Sequence, residues 1–504
     1  MEPIHLGGLL RYSAARTPHK PAVICGEQVV SYQALNQSTE ALAHRLLGKG
    51  LEPRDRVALH WCNSIDLVKL YFACFKAGLI AVPVNNRMKA PEIAHVLRHS
   101  KAKLCFSQPE LATISEGVRS ECPDLDTIYT ALPSLGSTEH GNVQLPKISP
   151  EQVAAILYTS GTTARPKGVM HTHVSLIAQT GMASILGLHG NDTLLAATQM
   201  VHIAGLSCVL LSGIACGATV VLLPAFDAAQ CLDLIERRRC SFLVLLPAML
   251  RFVVEEQDSR PRDVCSVRLC LAGGDSVPVT LQEGFRTLFG VPVRELFGMT
   301  ESAPITCIRE HGLRNGSVGP ALNIVDTRVA DTTGTALGDS QVGELQVQSP
   351  GNCVGYWDDA AATAATFTDG WLRTGDLVRR DADGFFWFEG RLKQIIVRGG
   401  SNISPQEVEE VLYQHPAVLE AGVVGMPDPV YGEKVIAFVA LRDGVIGCER
   451  ELRDFVRTRI AEYKTPEQII FLTDLPKGLT GKVERRALKE LAQSLQTGLD
   501  VVAS

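Results

Sequence analysis

Between Tyr158 and Val169 the chain reads YTSGTTARPKGV, with hydroxyl residues Thr159, Ser160, Thr162 and Thr163 and the glycine Gly161 gathered ahead of Lys167. Main-chain N–H groups of a Gly/Thr-rich loop, together with hydroxyls and one ammonium, can cradle a polyphosphate. The segment is not a Walker A loop, because Lys167 follows Pro166 and precedes Gly168 instead of a Ser or Thr. Taken alone it also fits a solvent-exposed polar turn. Further on, LFGMTES offers Thr300, a hydroxyl for phosphate, and Glu301, a carboxylate of the kind that holds Mg²⁺ alongside waters and substrate phosphates. GWLRTGD places Asp376 beside a turn, where a carboxylate can accept from paired ribose hydroxyls, and EGRLK supplies Arg391 close behind it.

These segments need elements to hold them, and the chain supplies a repeating βα pattern. SYQALNQSTEALAHRLLGKG has a Ser start and a Gly stop around a helix-spaced apolar face, and DRVALHW follows as a strand. SIDLVKLYFACFKAGLIAVPVN repeats that order. VAAILYTSGTT, GATVVLLPAF, SFLVLLPAML, SVRLCLAGGDSVP and VRELFGMTES are apolar runs ending in Gly, Pro, Ser or Thr. Such repetition predicts parallel sheets covered by helices, with ligands outside the carboxyl ends of the strands. After about Val318 short strands and tight turns take over, with Asp383-Gly384 as a hairpin signal. Past Lys393 the order of strands and helices predicts a compact α+β unit. The expected fold is therefore α/β: a large N-terminal domain of helix-covered, mainly parallel sheets plus a β-rich subdomain (1–391), and a small mobile α+β C-terminal domain (392–504).

Composition bounds the partners. A chain of 504 residues with 46% hydrophobic content can bury more than one core, and a net charge of -6 without clustered Lys or Arg argues against nucleic acid. The 14 cysteines are scattered without CxxC pairs, which fits free thiols in a reducing compartment. The N-terminus has no apolar signal core, so a cytoplasmic protein is expected. Thr193 to Phe226 contains no Asp, Glu, Lys or Arg, yet His202, Ser207, Ser212 and the turn in CGATVVLLP divide it into a short helix and a buried strand instead of a membrane span. Peripheral membrane contact and a homodimer are left open.

In this order, YTSGTTARPKG, FGMTE, WLRTGD, GRLKQIIVRGGSNISPQEVE and PKGLTGKVERR closely resemble the motifs of the adenylate-forming superfamily: acyl-CoA synthetases, peptide-synthetase adenylation domains and luciferases. SYQALNQ, DRVALHWCNS and AGLIAVPVN extend the resemblance over nearly the whole chain. It implies that a carboxylic acid is joined to ATP, releasing pyrophosphate, and that a thiol then attacks the acyl-adenylate. By the resemblance, Lys482 bridges carboxylate and α-phosphate, Glu301 holds Mg²⁺, Thr300 the α-phosphate, and His202 stands with them among the catalytic residues. The Thr159–Lys167 loop holds pyrophosphate, and Asp376 with Arg391 the ribose. Gly273, Gly274, Asp275, Phe297, Gly298 and Met299 border the nucleotide, Lys393 is the hinge of a rotating C-terminal domain, and Gly399 and Gly400 line a tunnel for coenzyme A. Without the resemblance, Lys482 reads as a surface lysine near a helix start.

Three positions depart from the family pattern: Ala164 and Asp275 stand where glycine and alanine are usual, and Val201 precedes His202 where an aromatic is usual. None removes a charged catalytic group, so activity is expected. Matching positions give an acyl pocket of His202, Gly205, Ala248, Met249, Ala272, Phe297, Gly298, Met299 and Ala303, mostly apolar, which suits a fatty or aryl monocarboxylate because a second charge would need a partner. Arg251 could pair a second carboxylate, although a solvent-facing arginine fits it better. Coenzyme A is the expected acceptor. A stand-alone enzyme that loads a carrier protein, and a catalytically silent nucleotide-binding relative, are the alternatives.

Overall fold

The computed structural model describes residues 4–133, 144–159, 166–275, 277–308, 314, 316–399, 401–478 and 481–496. Two parallel sheets dominate the first two thirds. One runs in the order Ser302–Cys307, Val293–Met299, Leu269–Gly273, Phe242–Leu245, Thr193–Ala196, Thr219–Leu222, Pro21–Cys25, Gln28–Ser31. All its pairings are parallel except the two outermost. Its inner strands, FLVL, LCLAG and TVVL, are buried along their whole length, as strands covered on both faces must be. The other runs Thr127–Tyr129, Leu104–Ser107, Arg56–His60, Ile80–Pro83, Val153–Thr159, Lys167–Thr172, and only its last pair is antiparallel.

Helix Ile65–Ala77 is buried on nearly every face, in a core that joins Val57 and Leu59 of one sheet to Leu194 and Val220 of the other. Ser64 caps its start by accepting from Leu67 N, and Gly78 ends it at φ 70°. The uncharged stretch resolves as strand Thr193–Ala196, helical turns Ala204–Leu211 and Ser212–Cys216, and strand Thr219–Leu222, all inside this architecture. Among the described residues no helix is long and apolar enough to cross a membrane.

The β-rich part is an antiparallel sheet of Gly319–Pro320, Phe385–Arg391, Trp371–Arg380, Val342–Gln348 and Asp326–Ala330. Its hairpin turns at Gly384 (φ 84°), and Asp381 accepts from the N–H groups of Asp383 and Phe385 to fix that turn. This hairpin sets Asp376 directly opposite Arg391.

The C-terminal part has its own cores around the Val418–Asp428 and Gly432–Leu441 ribbon, covered by helices Pro405–Tyr413, Glu449–Arg457 and Arg485–Gln496. Strand Gln468–Leu472 adds to it in parallel. The sequence pattern did not show this strand, because QIIFL buries only part of its length. The unit docks on the large part through Arg251, which donates to the carbonyl of Leu419 and lies over the Tyr413 ring, 5.5 Å from its centroid. Arg251 is thus neither solvent-facing nor positioned for a substrate carboxylate; it is spent on the lid. From the other side, the Glu410 carboxylate is turned toward the main-chain N–H of Val279, at the start of helix Val279–Phe289.

Candidate functional site

Thr159 and Lys167 face each other as the last pair of an antiparallel hairpin. Lys167 Nζ lies over the Tyr356 ring, 5.0 Å from its centroid. Tyr356 in turn donates its hydroxyl to Glu301 Oε1 at 2.6 Å, and the Glu301 main-chain carbonyl accepts from Cys353 N at 2.7 Å. Lys167 and Glu301, the residues expected to meet phosphate and Mg²⁺, are thereby braced through one phenol. Thr300 is held from below: His171 Nε2 donates to its carbonyl at 2.7 Å, and burial pushes the His171 ring down to about 4, so it is neutral. Neither Tyr356 nor His171 was singled out from the sequence. Nothing in the local sequence of either, GNCVGYW or GVMHTH, marks it for the site. Ser160, Gly161, Thr162, Thr163 and Ala164 lie outside the described residues.

Asp376 is fully buried. Arg391 Nε stands 2.8 Å from Oδ1 as an ion pair, yet neither carboxylate oxygen receives an aligned hydrogen bond. Two buried acceptors without aligned donors suit a pair of vicinal hydroxyls. Burial drives the carboxyl up to about 6, against the pull of Arg391 and Lys482 and with the push of Glu301.

Lys482 comes from the C-terminal part. A β-carbon placed on Gly274 would stand 3.9 Å from its Nζ and 3.8 Å from its Cε. Gly274 has φ 90°, and at Gly273 a β-carbon would lie 2.2 Å from the Leu296 carbonyl, so both glycines are required by the strand end itself. Burial pushes the Lys482 ammonium down; Asp275 and Asp376 oppose this, while Arg391 adds to it. The charge of Asp275, the residue expected beside adenine, is felt by Glu295 and by the lid residues Lys482 and Arg485, and Arg485 pairs with Glu409 at 2.6 Å. Gly273 closes, and Gly274 and Thr300 directly follow, carboxyl ends of strands in the large sheet.

His202 Nε2 lies 3.2 Å from Asn85 Nδ2, and burial, with Lys482 and Arg87 nearby, pushes the ring down to about 4. Ala248, Met249, Phe297, Gly298 and Met299 are half-buried around the same strand ends, and Ala303 is buried. Ala272 is fully buried in the second core, and Gly205 is needed for packing, since a β-carbon there would lie 2.3 Å from the Gln199 carbonyl. Val201 is buried, Lys393 is exposed in the turn after Arg391, and Gly399 (φ 56°) donates its N–H to the Tyr431 carbonyl on an exposed lid turn. Gly400 lies outside the described residues. Among the described residues no cluster of three or more His, Cys, Asp or Glu is placed to hold a metal ion.

A family model described as AMP-binding enzyme matches residues 10–357, and one described as AMP-binding enzyme C-terminal domain matches residues 407–482. The chain belongs to the AMP-binding enzyme family. This AMP-binding enzyme is 33% identical over 496 residues to a sulfoacetate–CoA ligase of Cupriavidus necator, covering 96% of this chain and 97% of the relative. It is 34% identical to a feruloyl-CoA synthase of Amycolatopsis sp (94% and 97% covered) and 32% identical to a fatty acid–[acyl-carrier-protein] ligase, ScoC, of Streptomyces coeruleorubidus (95% and 95%). Its fold matches the crystal structure of the anthranilate CoA ligase AuaEII in complex with anthranoyl-AMP with TM-score 0.91 at 28% identity, covering 99% of both chains.

Proposed function

We propose that this AMP-binding enzyme is an AMP-forming acid–thiol ligase that activates an apolar fatty or aryl carboxylic acid with ATP and passes the acyl group to coenzyme A. The observation that carries the reading is the meeting of Lys482, from the lid, with Gly274, Asp376 and Arg391 of the large part. In the first step the acid's carboxylate oxygen attacks the α-phosphorus and the bond to pyrophosphate breaks. Two anions must approach, so fixed positive charge at that point is the main requirement. Lys482 supplies it between carboxylate and α-phosphate, Thr300 offers its hydroxyl, Asp376 accepts from the ribose hydroxyls, and Lys167 receives the departing pyrophosphate. Glu301 would hold Mg²⁺, which draws charge from the phosphates; one carboxylate suits an ion that keeps waters and phosphate oxygens as its other ligands. In the second step the thiol sulfur attacks the acyl carbon and AMP leaves.

Support for the acid class comes from the half-buried apolar positions Ala248, Met249, Phe297 and Met299, and from relatives that act on ferulate and on fatty acids. The free state of all 14 cysteines supports a cytoplasmic setting. Similarity to ScoC keeps a carrier protein as the second acceptor. The deciding experiment is pyrophosphate and AMP release with MgATP over fatty, aryl, dicarboxylic, sulfonated and amino acids, with and without coenzyme A. Rapid turnover with an apolar acid only when coenzyme A is present is expected. Release that ignores coenzyme A would shift the acceptor to a carrier, and no release with any acid would leave a silent nucleotide binder.

A further inference from the structure

Helix Ala90–Ser100 has no part in the chemistry above, yet two of its side chains reach the hairpin that carries Thr159 and Lys167. His95 and His99 are one helical turn apart and share a face, their rings stacked with centroids 5.2 Å apart. His99 Nδ1 lies 2.8 Å from the Tyr158 hydroxyl, next to Thr159. His95 Nε2 lies 3.0 Å from the carbonyl oxygen of Pro166, next to Lys167. A carbonyl can only accept, so His95 carries its proton on Nε2 and donates. Burial lowers His99, with His95 and Lys101 adding to the effect and Asp358 and Asp359 opposing it. Burial thus favours the neutral ring, and Nδ1 and the Tyr158 hydroxyl share a hydrogen bond.

The same helix end also holds the segment behind Glu301. Trp357 Nε1 donates to the His99 carbonyl at 3.1 Å, and Lys101 pairs with Asp358 at 3.3 Å. Trp357 N donates to the Gly168 carbonyl at 2.7 Å, and a β-carbon on Gly168 would lie 2.8 Å from Ile156, 3.2 Å from Tyr158 and 3.3 Å from Trp357. Both hairpin arms and the Tyr356 segment are therefore referenced to one helix. The ladder that ends at Thr159 and Lys167 fixes how the two arms pair, and one directional bond from the helix to each arm fixes where that end of the hairpin sits.

We propose that His95 and His99 are positioning residues for polyphosphate binding, holding the end of the hairpin against their helix so that the Thr159 hydroxyl and the Lys167 ammonium meet the outer phosphates of MgATP together. The proposal rests on the reading of this hairpin as the pyrophosphate site. It is tested by calorimetric titration of MgATP and, separately, of AMP, which lacks the outer phosphates. His95→Ala and His99→Ala are each expected to weaken MgATP about tenfold while AMP stays within about twofold, as befits loss of one hydrogen bond remote from the nucleoside. His95→Gln, which keeps a donor for the Pro166 carbonyl, is expected to recover most of the loss. Equal weakening of both nucleotides would mean a merely structural role and overturn the proposal, as would unchanged MgATP binding or a Gln variant no better than Ala. If the alanine variants do not fold, His95→Gln and Tyr158→Phe carry the same comparison, with Tyr158→Phe expected to weaken MgATP alone. An unmodified enzyme that binds AMP as tightly as MgATP would remove the pyrophosphate reading itself, before any substitution is made, and this proposal with it.

Discussion

Asp376 is a carboxylate held where water cannot reach it, and its titration ties nucleotide binding to pH. The folded protein keeps it near 6, above the roughly 3.9 of an unfolded chain, so the folded state takes up a proton between those values. The stability this contributes is complete below the lower value and is lost as pH rises through the upper one. At pH 7.5 the buried anion is therefore a cost, and Asp376→Asn is expected to raise the unfolding free energy of the ligand-free enzyme by on the order of 2 kcal/mol, read from urea melts. The same substitution should abolish measurable adenylation, because the ribose loses its charged acceptor, and in the unmodified enzyme ATP affinity should fall as pH drops through about 6. Lys482→Ala removes the only lid cation seen against Gly274 among the described residues; it should slow adenylation by ~10² or more. Thioester formation from supplied acyl-adenylate should largely survive, and an equal loss in both steps would contradict the role given to this lysine.

At the scale of elements, what the sequence made legible was whatever announces itself locally. Ser31, Ser64, Gly78 and Gly384 mark ends and turns by their own conformational preferences, and the βα order follows from apolar runs that alternate in length. The chemical motifs were legible because each is contiguous. Tyr356, His171, His95 and His99 were not, since their roles come from partners far along the chain: Tyr356 from Glu301, His171 from Thr300, and the histidine pair from Tyr158 and Pro166. Arg251 was misread for the same reason, its partner being a carbonyl 168 residues away. That bond yields its own prediction. Arg251→Ala should weaken closure of the lid and lower the adenylation rate several-fold, roughly the worth of one charge-assisted hydrogen bond. Thioester formation from acyl-adenylate should remain unchanged, and a rapid-quench comparison of the two half-reactions checks it.

Across the whole molecule, the lid as described presents Lys482 to the site while Gly399 sits on an exposed turn, so the coenzyme A tunnel proposed at Gly399 would call for a second arrangement of the lid. Lys393, exposed in the turn that Gln394 N and Ile395 N close on the Arg391 carbonyl, is where we place the pivot. Lys393→Pro fixes one backbone angle there and should leave pyrophosphate release within about threefold while stopping acyl transfer to coenzyme A, which thioester assay and pyrophosphate release measured side by side would show. Two of the contacts that seat the lid share a further property: each ends on the main chain, Arg251 on the Leu419 carbonyl and Glu410 toward the Val279 N–H. Backbone atoms are common to every sequence, so neither of these two contacts depends on which side chains stand at 419 and 279. A lid borrowed from a relative would find its place provided it brings an acid at the position of Glu410 and meets a cation at that of Arg251. The catalytic cation and the acid-binding walls can thus be inherited, or exchanged, independently.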